Sequence, residues 1–152
     1  MTDYLETPQG RRIAYERHAG PGPGVVFLGG FKSDMRGSKA EYLAEWAART
    51  GRAFLRFDYS GHGESGGEFE DGSIGDWFAD ASAAITALTE GPQILIGSSM
   101  GGWLMLLVAL AQKERVAGIF GIAAAPDFTD HSKVINGFSD LMVEVFGDRG
   151  KH

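Results

Sequence analysis

Ser99 stands at the centre of Gly97-Ser98-Ser99-Met100-Gly101, a G-x-S-x-G arrangement. A serine hydroxyl is a weak nucleophile by itself. It works when a turn exposes its oxygen, a base takes its proton, and backbone N–H groups receive the charge that builds on the attacked carbonyl oxygen. The flanking sequence supplies the turn. Ile94, Leu95 and Ile96 form a short apolar run, as expected of a strand buried on both faces, and an apolar run long enough for a buried helix follows Gly101. Strand, turn and helix in that order are the setting of a nucleophile elbow. Gly97 and Gly101 permit close strand–helix packing and push Ser99 out at the tip, above the free N–H groups and positive end of the helix. Ser99 is therefore the candidate nucleophile. A serine that merely caps a helix would fit the same local pattern.

The chain carries a second match, Gly63-Glu64-Ser65-Gly66-Gly67, and with 23 glycines in 152 residues a bare match comes easily. Ser65 follows a polar Gly/Ser run with no helix behind it, so it reads as a loop residue. Ser98 reads as the packing neighbour of the nucleophile.

The elements that must position Ser99 follow from the pattern along the chain. Residues 4–7 and 12–17 read as two short strands around a turn. Gly20-Pro21-Gly22-Pro23-Gly24 breaks the chain, and residues 25–28 make a buried-type strand that ends at Gly29-Gly30-Phe31. Ser38 with Glu41 reads as a capping box, opening a helix that stops at Gly51. Residues 53–57 form the next strand and residues 58–72 a glycine-rich loop. Ser73 with Asp76 opens a helix whose apolar side carries Ile74, Phe78, Ala81, Ile85 and Leu88. Residues 116–123 read as a further buried strand. Alternating strands and helices with right-handed crossovers predict an α/β fold, a mostly parallel sheet with helices on both faces. Beyond it, Val134, Phe138, Leu141, Met142 and Val145 fall at helical spacing before a polar tail, as for a face docked on the domain.

Composition narrows the class. One domain of 152 residues with 43% hydrophobic and 22% charged residues is ordinary for a soluble globular protein. A net charge of −6 argues against a nucleic-acid partner. The absence of cysteine excludes disulfides, thiolate metal sites and a cysteine nucleophile. No two histidines fall within a helical turn of each other, so no metal site is expected. No basic-then-apolar leader follows Met1, and the apolar run at 100–110 is too short for a membrane span. The expectation is a soluble, cytoplasmic protein.

Arg56-Phe57-Asp58-Tyr59-Ser60-Gly61-His62-Gly63-Glu64-Ser65, the Gly29-Gly30-Phe31 strand end and the Ser99 turn, in that order and spacing, resemble the α/β-hydrolase superfamily. The wording FDYSGHGESGG followed by GPQILIGSSMGGWLMLL is similar to the abhydrolase-domain group, which includes the mitochondrial acyl-protein (palmitoyl) thioesterase, acyl-glucuronide esterase and bacterial relatives. The resemblance covers about residues 10–127. It implies Ser99 as nucleophile, with the Met100 and Phe31 N–H groups as oxyanion donors converging from neighbouring strands. It also implies a bracing role for Asp58.

The family pattern places the acid and the histidine on loops after two further strands. The expectation is a hydrolase core over residues 1–127, ending before those last strands, with residues 128–152 a helix and polar tail or the opening of a lid. Asp127, His62 and His131 are the remaining acid and base candidates. Asp127 equally suits a turn after Pro126, and His62 the surface or a pocket wall; His18 reads as an exposed strand residue and His152 as terminal. The function expected is hydrolysis of small-molecule or protein-linked carboxylic esters or thioesters, with no cofactor implied. The alternative is a non-catalytic α/β-hydrolase-like module without acid and histidine. An unpaired edge at residues 116–123 is an expected route to self-association.

Overall fold

The computed structural model describes residues 2–122, which form one six-stranded sheet with helices on both faces. In chain order the elements are β1 (Asp3–Glu6), β2 (Arg12–His18), β3 (Gly24–Leu28), α1 (Ser38–Thr50), β4 (Phe54–Phe57), α2 (Ile74–Leu88), β5 (Gln93–Ser98), α3 (Met100–Ala111) and β6 (Val116–Ile122). The sheet order is β1-β2-β4-β3-β5-β6. β1, β2 and β4 pair antiparallel, whereas β4, β3, β5 and β6 run parallel.

The chain steps from β3 through α1 to β4 on one side, then crosses through α2 to β5 on the other side of β3. The reversal leaves a crevice at the carboxyl ends of β3 and β5, the place where open α/β sheets hold ligands. Strand alternation sorts the core into two layers. Val26, Leu28, Leu55 and Leu95 pack under α2 and α3, while Val25, Phe27, Ile94 and Ile96 pack under α1.

Three local expectations need correction. Gly37, not Ser38, is the N-cap of α1, and it makes no side-chain cap hydrogen bond. Glu41 instead accepts from Arg56 Nη1 at 2.9 Å, because the guanidinium, which also donates to the Met35 carbonyl, offers a charged partner that a backbone N–H does not. β6 is not buried on both faces. Its burial alternates and Ile119 is 41% exposed, since among the described strands only β5 pairs with it. In α2 the buried positions include Trp77, Asp80 and Ala84, whereas Ile74 and Phe78 are half-buried. The Ser73 cap does form, its hydroxyl accepting from the Asp76 N–H at 3.2 Å. The expected helix at 134–145 and the lid opening lie outside the described residues.

Candidate active site

Ser99 sits between the last residue of β5 and the first of α3, with φ 58° and ψ −119°. A non-glycine residue held at positive φ is uncommon and marks a turn that the surrounding packing imposes. That packing is visible at both flanking glycines. A Cβ on Gly97 would collide with the Gly101 carbonyl, and one on Gly101 would collide with the Leu28 carbonyl. The helix start is thereby drawn against the strand end, and Ser99 is left exposed while Ser98 is 6% exposed.

The end of β3 closes on this tip from the side. A Cβ on Gly30 would lie 3.3 Å from the Ser99 Cβ. The Gly29 carbonyl accepts from the Tyr59 hydroxyl at 2.9 Å, and the Gly30 carbonyl from Ser33 Oγ at 2.8 Å, so both peptides are fixed. Phe31 follows, and Lys32 takes up the second positive φ of a non-glycine residue, 60°. The Phe31 N–H has no hydrogen-bond partner among the described residues. A cavity of about 290 Å³ adjoins the tip and is lined by Gly30, Phe31, Ser98 and Ser99 together with the start of α1.

Asp58 ties the loops around the site together. Its carboxylate accepts from the Met35 N–H at 2.7 Å, on the loop after β3, and from the Glu64 N–H at 2.9 Å, on the glycine-rich loop. The chain at Gly63, with φ 48°, comes so close to that carboxylate that no side chain fits there. Burial pushes the Asp58 carboxyl above the usual carboxylate range, against the two N–H donors that favour its charge. A folded pKa above the unfolded one means that this group's contribution to stability falls as pH rises through that interval, so Asp58 is not a source of acid unfolding. Asp58→Asn leaves one acceptor oxygen for two N–H groups and turns an NH₂ towards one of them. It is expected to cost about 1–3 kcal/mol, read as a lowered thermal midpoint; an unchanged midpoint would show that the loops hold without the carboxylate.

The second G-x-S-x-G match is structural. Ser65 Oγ donates to the Asp58 carbonyl at 2.6 Å and accepts from the Ala14 N–H at 2.8 Å, which pins the loop to β2.

His62 is buried, 4% exposed, with its ring edge-on to Tyr59, Phe69 and Trp77 at centroid distances of 5.5, 5.3 and 5.2 Å. Its Nδ1 lies 3.0 Å from the Ser60 carbonyl and its Nε2 has no partner among the described residues. No hydrogen bond joins it to Ser99. The wall of rings explains its burial. His18, expected to be exposed, is half-buried with Nδ1 2.9 Å from the Arg52 carbonyl. Asp127 and His131 lie outside the described residues.

Pattern reading missed Asp80. It is fully buried on the apolar side of α2, where it accepts from Arg11 Nε at 2.7 Å and from the Ser60 N–H at 2.9 Å. It therefore anchors the start of the glycine-rich loop. Among the described residues no group of three His, Asp or Glu side chains is placed to hold a metal ion, and no helix is long and apolar enough to cross a membrane.

Residues 21–151 match the family model described as serine aminopeptidase, S33. The mitochondrial palmitoyl-protein thioesterase of Rattus norvegicus is 43% identical over 142 residues, which are 93% of this chain and 46% of the relative. The human protein of that name is 41% identical, over 93% of this chain and 45% of its own. Among solved structures, alpha/beta hydrolase domain-containing protein 10 from mouse superposes with a TM-score of 0.79 at 37% identity, covering 97% of this chain and 59% of that one. A putative hydrolase of Agrobacterium vitis S4 gives 0.75 at 34% identity, covering 95% and 60%. The chain spans about half the length of the curated relatives it matches. The expected cytoplasmic location is overturned, because those relatives are named as mitochondrial. Cysteine count and the lack of a secretory pattern separate secreted from non-secreted chains, and they say nothing about organelles.

Proposed function

The chain belongs to the α/β-hydrolase family described as serine aminopeptidase S33, and from that membership we propose that it acts as a serine hydrolase on carboxylic esters or thioesters, with Ser99 as the nucleophile. The observation that carries the reading is Ser99 itself, exposed at positive φ on the tip of a strand–helix turn with Gly30 packed against it. In this mechanism Ser99 Oγ attacks the acyl carbonyl carbon and a base takes its proton. The carbonyl oxygen, now negative, rests on the Met100 N–H at the positive end of α3 and on the Phe31 N–H at the end of β3. Collapse of the tetrahedral intermediate expels the alcohol or thiol, which takes up the proton. Water then attacks the acyl-serine by the reverse sequence and frees the acid. Residues outside 2–122 supply the acid and base, with Asp127 and His131 the candidates in this chain. The curated relatives' names point to protein-linked palmitoyl thioesters as substrates. Wild-type chain is expected to release p-nitrophenol from p-nitrophenyl acetate above the buffer rate, and Ser99→Ala to return it to that rate. Release unchanged in Ser99→Ala would remove the reading.

A second reading is an acyl-binding module without turnover, favoured by the lack of any histidine bonded to Ser99 among the described residues. It requires an octanoyl thioester to bind reversibly, without acylating Ser99.

A further inference from the structure

We propose that Ser33 is a positioning residue for the reaction: its hydroxyl holds and polarises the Gly30–Phe31 peptide, whose N–H is assigned above to the oxyanion. This deepens the serine-hydrolase reading and rests on it. The Gly30 carbonyl and the Phe31 N–H belong to one planar, trans peptide and point in opposite directions, so whatever fixes the carbonyl aims the N–H. Ser33 Oγ donates to that carbonyl at 2.8 Å, and the Ser33 N–H donates to it at 3.2 Å. A carbonyl oxygen accepts two hydrogen bonds, and here one residue supplies both.

The turn leaves the Phe31 N–H free while it binds the carbonyl. Gly30 to Ser33 is a four-residue turn closed by the Ser33 N–H, with positive φ at its third residue, Lys32, and not at its second. That is the type II pattern, which favours glycine in the third place. A lysine there is held against its preference, so its surroundings must over-determine the turn. Two contacts do so: Lys32 Nζ lies 4.9 Å from the centroid of the Phe69 ring, and the Ser33 hydroxyl ties the turn's end to its start. Gly30, packed against Ser99, keeps the peptide beside the nucleophile. Polarisation adds to aim. A carbonyl that accepts hydrogen bonds draws electrons from its nitrogen and makes the N–H a stronger donor. That gain is largest when negative charge stands on the attacked oxygen, which is in the transition state and not in the bound ester. Ser33 is exposed, and its N–H still closes the turn when the hydroxyl is removed, so Ser33→Ala keeps the fold. Tyr59, which donates to the Gly29 carbonyl at 2.9 Å, fixes the preceding peptide, but it is 2% exposed and its replacement would disturb the core as well.

The test measures p-nitrophenyl octanoate hydrolysis by the 152-residue chain. Ser33→Ala is expected to lower kcat about tenfold with KM unchanged, the rate equivalent of one hydrogen bond lost from the transition state alone. Ser33→Thr, which keeps a hydroxyl, is expected to restore the rate. Affinity for an octyl trifluoromethyl ketone, whose adduct with Ser99 carries the same oxyanion, is expected to fall in Ser33→Ala by the same factor as kcat. In the ¹⁵N-labelled chain the Phe31 nitrogen resonance is expected to move to lower frequency in Ser33→Ala and to return in Ser33→Thr, since a nitrogen is deshielded when the preceding carbonyl accepts a hydrogen bond. A serine that only steadied the loop would change the thermal midpoint without this split between kcat and KM. Equal kcat in wild type and Ser33→Ala, a loss carried by KM, a loss that Ser33→Thr does not restore, or a Phe31 resonance that stays in place would each overturn the proposal alone. Hydrolysis that Ser99→Ala leaves unchanged would instead remove the hydrolase reading, and this inference with it.

Discussion

Gly101→Ala is expected to destabilise this chain by at least about 3 kcal/mol, a large share of the roughly 5–15 kcal/mol that holds an ordinary domain together. The added methyl would collide with the Leu28 carbonyl oxygen and sit 2.5 Å from its carbon and 2.6 Å from the Gly29 oxygen. Those atoms belong to the end of a central strand, so no side chain can swing away to relieve the contact. Relief requires α3 to lift off β3, which opens the core at Leu104, Met105 and Val108. The neighbouring glycine gives the control. The nearest atom to a Cβ on Gly102 is 3.7 Å away, an ordinary contact, and alanine is the better helix former by about 1 kcal/mol. Gly102→Ala is thus expected to leave the urea midpoint unchanged or raise it. Two methyls one residue apart then act with opposite sign. Equal midpoints for the two variants would mean that the strand–helix approach at Ser99 is looser than described.

The second large effect concerns rate. Among the described residues no imidazole is hydrogen-bonded to Ser99, and the base candidate that lies among them, His62, is held between Tyr59, Phe69 and Trp77. Members of a catalytic triad act as a unit. A serine without its base keeps only the help of the oxyanion donors and of binding, about 10³–10⁴-fold over water in serine proteases. Because no base stands among the described residues, turnover of p-nitrophenyl octanoate is expected to fall by several orders of magnitude in His131→Ala, the base candidate outside them. His62→Phe, which preserves the ring packing, is expected to leave it unchanged. Turnover unchanged in His131→Ala would remove His131 as the base. Loss in His62→Phe would instead show that the buried ring reaches Ser99.

Much of this arrangement was legible in the residues. Ser99 could be separated from Ser65 because an apolar strand precedes it and an apolar helix follows, and the Ser73–Asp76 cap could be read from spacing alone. What escaped depends on partners far away in sequence. Ser38 and Glu41 have the spacing of a capping box, yet Arg56 on β4 draws the glutamate away. Asp80 looks out of place on a buried helix face until Arg11 is folded back to meet it from β1–β2. Burial of His62 needs three rings, two from its own glycine-rich loop and one from α2. β6 carries the apolar run of a buried strand, but whether both faces are covered depends on neighbours that its own residues do not specify. Location escaped for a different reason, since neither charge nor cysteine content encodes an organelle.

The measurement that bears most directly on Ser99 as the nucleophile is prolonged labelling of the chain with a fluorophosphonate, followed by peptide mapping. The predicted result is one phosphonylated residue, Ser99, and no adduct in Ser99→Ala. An adduct on Ser98 or Ser65, or labelling that persists in Ser99→Ala, would contradict it.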